Sequence, residues 1–472
     1  DPILRYMKRA LFLTFLFLLT TLTAIHGRDE DGYPRLMQGP MIGAVTEDSV
    51  LVWVRGAWTW PIQIRYSEHA DMRDARLTEP MIPRKENDYC LTFALEGLQP
   101  DTVYHYRILI DGHEGKYLNG TPSFRVRTAP EENERARFTI GYGSCARWQK
   151  DRIQPVWDAV AQWEPDLFFW LGDNVYADTL DPDIVAEEYR RQREVPSLAP
   201  LLTRIPQLAT WDDHDFGLNN HDRTNPKKKE NRNVWTRYWP NPSHGTADVD
   251  GIFFAYSYGG VDFHFLDNRY HRDPNDLPDG PGKTMLGNGQ LAWLKEQLLS
   301  SKAPFKVLVS GSVWTRGKGP SGDAWSAFLH ERDSLFDWIR DNEITGVVLL
   351  SGDTHTGELN VIPWSDKGGY DFYDLTASPL AQEPGNSWLF RDVEQRVRIP
   401  YDRGANFGWI EFDLEAEDPT LTFNIINTEA KPVWKPFVLK ASELENGIRS
   451  WPAKLSNGAR RWTRQLRGGE EQ

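Results

Sequence analysis

Cysteine occurs only twice in 472 residues, which excludes a disulfide-dense scaffold. Long apolar runs are missing beyond residue 27, so no later segment offers the roughly 20 residues that a membrane-spanning helix needs. Basic charge is in deficit, with 54 Lys and Arg against 68 Asp and Glu and a formal net charge of −14. An acidic surface repels phosphate backbones and anionic lipid, so neither nucleic acid nor a membrane is the expected main partner. There is no low-complexity tract and no internal repeat, which excludes disordered and solenoid architectures. Twenty tryptophans are present, with 26% charged residues. That mixture belongs to a well-packed globular protein. A length of 472 residues suggests two or three domains.

The first 27 residues do not belong to the fold. From Met7 the chain reads as a signal peptide, with Lys8 and Arg9 as the charged region and an apolar stretch from Leu11 to Ala24. Cleavage fits after Ala24 or Gly27, and the stretch is too short to span a bilayer. Asp1 to Tyr6 precede a natural-looking start and read as an upstream artefact. No cysteine at the cleavage region offers a lipid attachment point. The expectation is a secreted or periplasmic protein without a membrane anchor. Loss of residues 1–27, which hold three basic and one acidic side chain, takes the net charge from −14 to about −16.

The chemistry concentrates at Trp211-Asp212-Asp213-His214-Asp215, followed by Asn219 and Asn220. Three carboxylates in four positions repel one another, and a hard cation with oxygen ligands would remove that cost. A solvated acidic turn is the plain alternative. His214 among the acids suits a ligand or an acid–base group. The same grammar recurs. Apolar runs break into Gly143-Ser144-Cys145, into Gly172-Asp173-Asn174-Val175-Tyr176 and into Ser351-Gly352-Asp353-Thr354-His355. Sites in open α/β sheets form beyond the carboxyl ends of strands, so four such ends point to one shared metal site. Cys145 beside it reads as a thiolate ligand, and a Cys90–Cys145 disulfide stays open as the alternative.

Residues 33–130 alternate as short strands separated by turns, as in a β-sandwich. The turn into Thr102-Val103-Tyr104-His105-Tyr106 resembles the fibronectin type III pattern with its buried tyrosine. From residue 137 strands alternate with helical segments, including 155–163, 290–300 and 329–340, which predicts an α/β core. Segments 252–258 and 261–266 read as a hairpin. The later strands 372–376, 407–413 and 421–426 are expected to fill a second sheet. Residues 219–244, with Lys227-Lys228-Lys229, read as a solvated basic loop able to attract an anionic substrate. The tail 431–472 reads as a lid or surface wrap.

The four motifs, in this order, resemble the alkaline phosphatase D (PhoD) family of calcineurin-like metallophosphoesterases, over residues 33–430. The resemblance implies a four-layer α/β (α+β) sandwich at 137–430, preceded by the all-β fibronectin III/Ig-like sandwich at 33–130. It implies metal ligands at Cys145, Asp173, Tyr176, Asp213, Asp353 and His355, with Asp212 as a further carboxylate candidate. In that family a cysteine and a tyrosine join an iron site. Ferric iron with calcium is therefore the expected cofactor set, and zinc or manganese are the alternatives. Lys8-Arg9 departs from the paired arginines of folded export, so the metals are expected to load outside the cytoplasm.

The residues agree with this on their own chemistry. Thiolate and phenolate favour a highly charged ion, and carboxylates suit calcium. Two cations can clamp a phosphoryl group and activate a hydroxide or oxide that attacks phosphorus in line. His214 would protonate the leaving oxygen and Arg147 would hold a phosphate oxygen. Asn219 and Asn220 are substrate or ligand candidates. Arg269 is either a substrate contact or one half of an internal ion pair with Asp267 or a neighbour. The expected function is an exported, monomeric phosphoesterase for small phosphomonoesters, phosphodiesters or both. A phospholipase-D-like diesterase and a non-catalytic phosphate-ester or surface binder on the same fold are the alternatives.

Overall fold

The computed structural model describes residues 33–115, 120–132, 134–385 and 393–468; the signal peptide expected at 1–27 lies outside them. Leu36–Val45, Ser49–Gly56 and Cys90–Glu96 form one antiparallel sheet. Ile62–Ser67 and Val103–Ile110 are the centre of a second, with Arg76–Leu77, His113–Glu114 and Phe124–Arg127 at its margins. Alternating side chains such as Val52, Ile64, Phe93 and Tyr106 meet in one apolar cluster between them. The Tyr104 hydroxyl accepts a hydrogen bond from the Gln99 amide at 2.9 Å, tying the turn at 98–102 to its strand.

Two larger sheets make the rest. One runs Gln207–Thr210, Leu167–Leu171, Arg137–Gly143, Asn406–Asp413, Thr420–Asn427 and Phe437–Lys440, its first three strands parallel. The other runs Phe254–Tyr258, Val261–Phe265, Lys306–Val309, Val347–Ser351, Phe372–Thr376, Glu358–Ile362 and Gln395–Arg396. Their inner faces read as continuous apolar runs because both sides of each sheet are covered. Aromatic rings fill the seam: Phe169 meets Phe263 and Phe265 at 5.0 Å, edge to face. Helix Val156–Trp163 covers the first sheet. Gly287–Ser300 and Leu329–Asp341 cover the second, Phe336 stacking on Phe372 at 4.1 Å. The order helix, sheet, sheet, helix makes four layers.

Two expectations need correction, and one alternative drops out. Phe372–Thr376 does not join the later strands in one sheet. It pairs in parallel with Val347–Ser351, while Asn406–Asp413 and Thr420–Asn427 form a hairpin on Arg137–Gly143. Residues 219–244 are not a solvated loop throughout. Lys228–Tyr238 is a helix whose Val234, Trp235 and Tyr238 share one face by their spacing and are buried. Cys90 and Cys145 are free thiols, each buried in a different sheet system, so no disulfide joins them. Beyond residue 430, Phe437–Lys440 adds an edge strand. Further on, the Asp371 carboxylate accepts the Ser450 and Trp451 amides at 2.9 and 3.0 Å.

Candidate active site

Strand register decides which residues meet. Trp170 stands level with Gly143 and Leu171 with Thr210, so the chain leaves three adjacent parallel strands at Cys145, Asp173 and Asp212. In the facing sheet Leu350 stands level with Val309 and Ser351 with Thr376, so Asp353 and His355 emerge at the corresponding rim. The two rims are tied together. The Asp353 amide donates to Ser144 Oγ at 3.0 Å, and the Tyr176 hydroxyl lies 3.1 Å from His355 Nε2.

The backbone bends sharply at these rims. Cys145, Asp173, Asp353 and His355 have φ of 62°, 50°, 69° and 54°. This left-handed region disfavours most side chains, and strain of that kind clusters at functional sites. Gly172 makes the approach possible. A Cβ there would lie 2.6 Å from Asp212 Cβ and 2.9 Å from the Asp212 nitrogen, at φ +88°.

Asp173 is the hub. Its Oδ2 lies 3.4 Å from both Cys145 Sγ and the Tyr176 hydroxyl. Its Oδ1 is buried without a hydrogen-bond partner, as is Asp212 Oδ2. Asp173, Asp213 and His214 each bring a ligand atom within 4.8 Å of the others, and so do Asp212, Asp213 and Asp323. Burial drives Asp173 well above the usual carboxylate range despite His214. Burial also pushes Asp212 up to about 7 against the pull of Arg269. Asp353 is raised by burial as well, with Lys318 opposing. Asp213 goes the other way: Arg269 and His214 overcome burial and hold it low. Burial lifts the Cys145 thiol to about 11, with the charge of Asp353 adding to the effect. Carboxylates this crowded and buried, with orphaned oxygens, are an environment that a bound cation relieves. The donor set fits metal ions.

His214 Nδ1 lies 2.5 Å from Asp178 Oδ1, and its ring sits 4.1 Å from that of Tyr176. Burial lowers its pKa, but Asp173, Asp213 and Asp178 win and push it up to about 10. Arg147 lays its guanidinium over the Tyr176 ring at 5.0 Å, and its buried Nε has no hydrogen-bond partner. These two are gathered with the cluster. Asn219 and Asn220 are exposed; it is the backbone N–H of Asn220, not its side chain, that reaches Asp213 Oδ2 at 2.6 Å. Arg269 resolves to the internal pair and is no open substrate contact. Fully buried, it pairs with Asp212 and holds Asp323 through two hydrogen bonds at 3.0 and 2.6 Å, with Asp213 at 3.6 Å. Asp215, third acid of the acidic stretch, turns inward to accept the Asp212 and Asn174 amides and the Tyr189 hydroxyl.

The sequence reading did not single out Asp178, Lys318 or Asp323. Asp178 lies two residues beyond Tyr176, close enough for the motif to have flagged it. Lys318, paired with Asp353, and Asp323 sit in a segment with no pattern of its own.

Two family models match this chain: "PhoD-like phosphatase" over residues 140–414, and "PhoD-like phosphatase, N-terminal domain" over residues 22–130. Alkaline phosphatase D of Bacillus subtilis (strain 168) is 25% identical over 337 residues, or 60% of this chain and 55% of that protein. The chain thus spans about half the length of the curated relative it matches. Among solved structures, PhoD aligns with a TM-score of 0.68 at 18% identity, over 93% of this chain and 98% of that one. A purple acid phosphatase from yellow lupin (Lupinus luteus) seeds aligns at 0.60 and 12% identity, over 90% of this chain and 75% of that one. At these identities the likeness to both structures is one of fold.

Proposed function

Because the chain belongs to the PhoD-like phosphatase family, we propose that its carboxylate cluster is the centre of a metal-dependent phosphoesterase acting on small phosphate esters. The observation that carries this reading is the gathering of thiol, phenol, imidazole and carboxylate groups around Asp173, with His355 of the facing sheet reaching Tyr176 and buried carboxylate oxygens left unpartnered. Cys145, Asp173, Tyr176 and His355 would hold a transition metal, for which ferric iron is the reading, since thiolate and phenolate favour such an ion. Asp212, Asp213 and Asp353 would hold a harder cation, read as calcium. When bound, the cations supply charge neutralisation for the phosphoryl group and lower the pKa of water.

The chain's own groups account for the rest. Arg147, whose guanidinium lies on the Tyr176 ring with Nε unpartnered, can hold a non-bridging phosphate oxygen. His214, partly open to solvent and anchored by Asp178, can pass its proton to the leaving oxygen as the P–O bond breaks. Asp178 fixes the ring orientation, as a carboxylate behind a catalytic imidazole does. Arg269 stays behind the acids and keeps Asp212 in place. The protein acts outside the cytoplasm on this reading, on phosphomonoesters, phosphodiesters or both.

Elemental analysis of the purified protein, with p-nitrophenol release from p-nitrophenyl phosphate and from its bis ester, tests the proposal. Iron and calcium are expected, with Asp213→Asn losing roughly a hundredfold or more in kcat/KM. Zinc or manganese without iron would keep the phosphoesterase and overturn the metal assignment. A metal-loaded protein that releases no p-nitrophenol from either ester would sink the catalytic reading.

A further inference from the structure

The basic run Lys227-Lys228-Lys229 has no part in the site described so far. The structure sends Lys228 into a cavity of about 540 Å³ that no residue of the carboxylate cluster lines. In a chain of net charge −14, this cavity gathers Arg223, Lys228, Lys283 and Lys295 against two carboxylates, Asp273 and Glu331. Both carboxylates are already committed. Asp273 lies 2.6 Å from Arg223 and accepts the Thr284 amide at 2.8 Å. Glu331 accepts the Met285 and Leu286 amides at 3.0 and 3.1 Å, at the start of helix Gly287–Ser300.

The three lysines have no carboxylate partner among the described residues. Lys228 Nζ donates to the Tyr270 carbonyl at 3.2 Å and lies over that ring at 4.7 Å. Lys283 Nζ donates to the Asn275 and Leu277 carbonyls at 2.9 and 2.7 Å. Lys295 Nζ rests 5.1 Å from the Trp338 ring centroid. Burial lowers the pKa of Lys228, with Arg223 adding to the effect, and burial likewise lowers that of Lys283. An incoming anion would reverse both. The volume suits a small molecule rather than a polymer. His330, Ser334 and Asn288 also line the cavity.

We propose that this cavity binds a small polyanion carrying two or more phosphate groups, at a site separate from the carboxylate cluster. Three ammonium groups set apart on different segments match several charges spread over one ligand better than a single monoanion. The inference does not depend on the chain being a phosphoesterase.

Calorimetric titration with methylenediphosphonate, whose P–C–P bridge resists hydrolysis, tests it on the metal-loaded protein. Lys228→Gln/Lys295→Gln is expected to weaken binding at least tenfold, while Asp213→Asn leaves it unchanged. Thermal melts confirm that both variants are folded, and Lys295→Glu alone, on a helix surface, gives a second reading in the same direction. Absence of binding overturns the proposal. So does binding that survives the lysine substitutions, and so does binding that disappears with Asp213→Asn, which would place the probe on the carboxylate cluster.

Discussion

Single residues explain why part of the candidate site can be read from sequence and part cannot. Cys145, Asp173, Asp212, Asp213, Asp353 and His355 each lie within five residues of the end of a short apolar run, so local pattern marks them. Their counter-charges are remote: Lys318 pairs with Asp353 and Arg269 with Asp212, 35 and 57 positions away. No local rule forecasts such partners, because only the fold brings them near. The same limit applies to buried histidine. His264 sits in Val261–Phe265, second from the edge of its sheet, with both ring nitrogens unpartnered. Burial lowers its pKa from 6.5 to about 4, with Lys306 adding to this and Asp262 opposing. Its folded pKa lies below its unfolded one, so its neutral form is favoured. The stability tied to it is whole above pH 6.5 and is lost as pH falls towards 4. His264→Phe is expected to flatten the acid limb of the stability curve in that window, as measured by urea unfolding between pH 4 and 7. Parallel curves for the two proteins would refute this.

At the scale of the element, the strand-to-loop junction is the working unit. The parallel strands Leu167–Leu171 and Gln207–Thr210 end so close together that Gly172 has no room for a side chain beside Asp212. Gly172→Ala combines a positive-φ penalty with overpacking, and should destabilise by about 2–4 kcal/mol. The contact is with Asp212 itself, so metal content should fall along with the melting temperature. A variant that melts lower but keeps its full metal complement would show that the junction is structural only. Elements with strong local signals, such as the strand ends and the helices of the second sheet, were legible. The helix Lys228–Tyr238 was not, because its apolar face (Val234, Trp235, Tyr238) is short and hidden behind a run of charged residues. Sheet membership of Phe372–Thr376 was also illegible: a strand's pattern states that it is buried but not which neighbour it pairs with.

At the scale of the molecule, the N-terminal sandwich is built into the core. Trp53 donates to the Arg237 carbonyl at 2.7 Å, Tyr256 to the Val45 carbonyl at 2.8 Å and Gln38 to the Arg190 carbonyl at 2.7 Å. Asp88 adds Arg190 and Tyr238. With the Trp53 ring against Tyr238 and Arg193, Trp53→Ala is expected to cost about 3–5 kcal/mol. Calorimetry should show one unfolding transition that shifts as a whole; two separable transitions, with only the first moved, would contradict a shared core. The first large sheet also has a bearing on how the protein is made. Arg137–Gly143 stands between Leu167–Leu171 and Asn406–Asp413. One of its edges therefore stays open until synthesis has passed residue 413. Cys145, just beyond that strand, gains its permanent surroundings only when the chain at Ala381, whose amide its carbonyl accepts at 3.0 Å, and the strand Asn406–Asp413 have been made. Completion of the cluster therefore waits on chain made more than two hundred residues after Cys145.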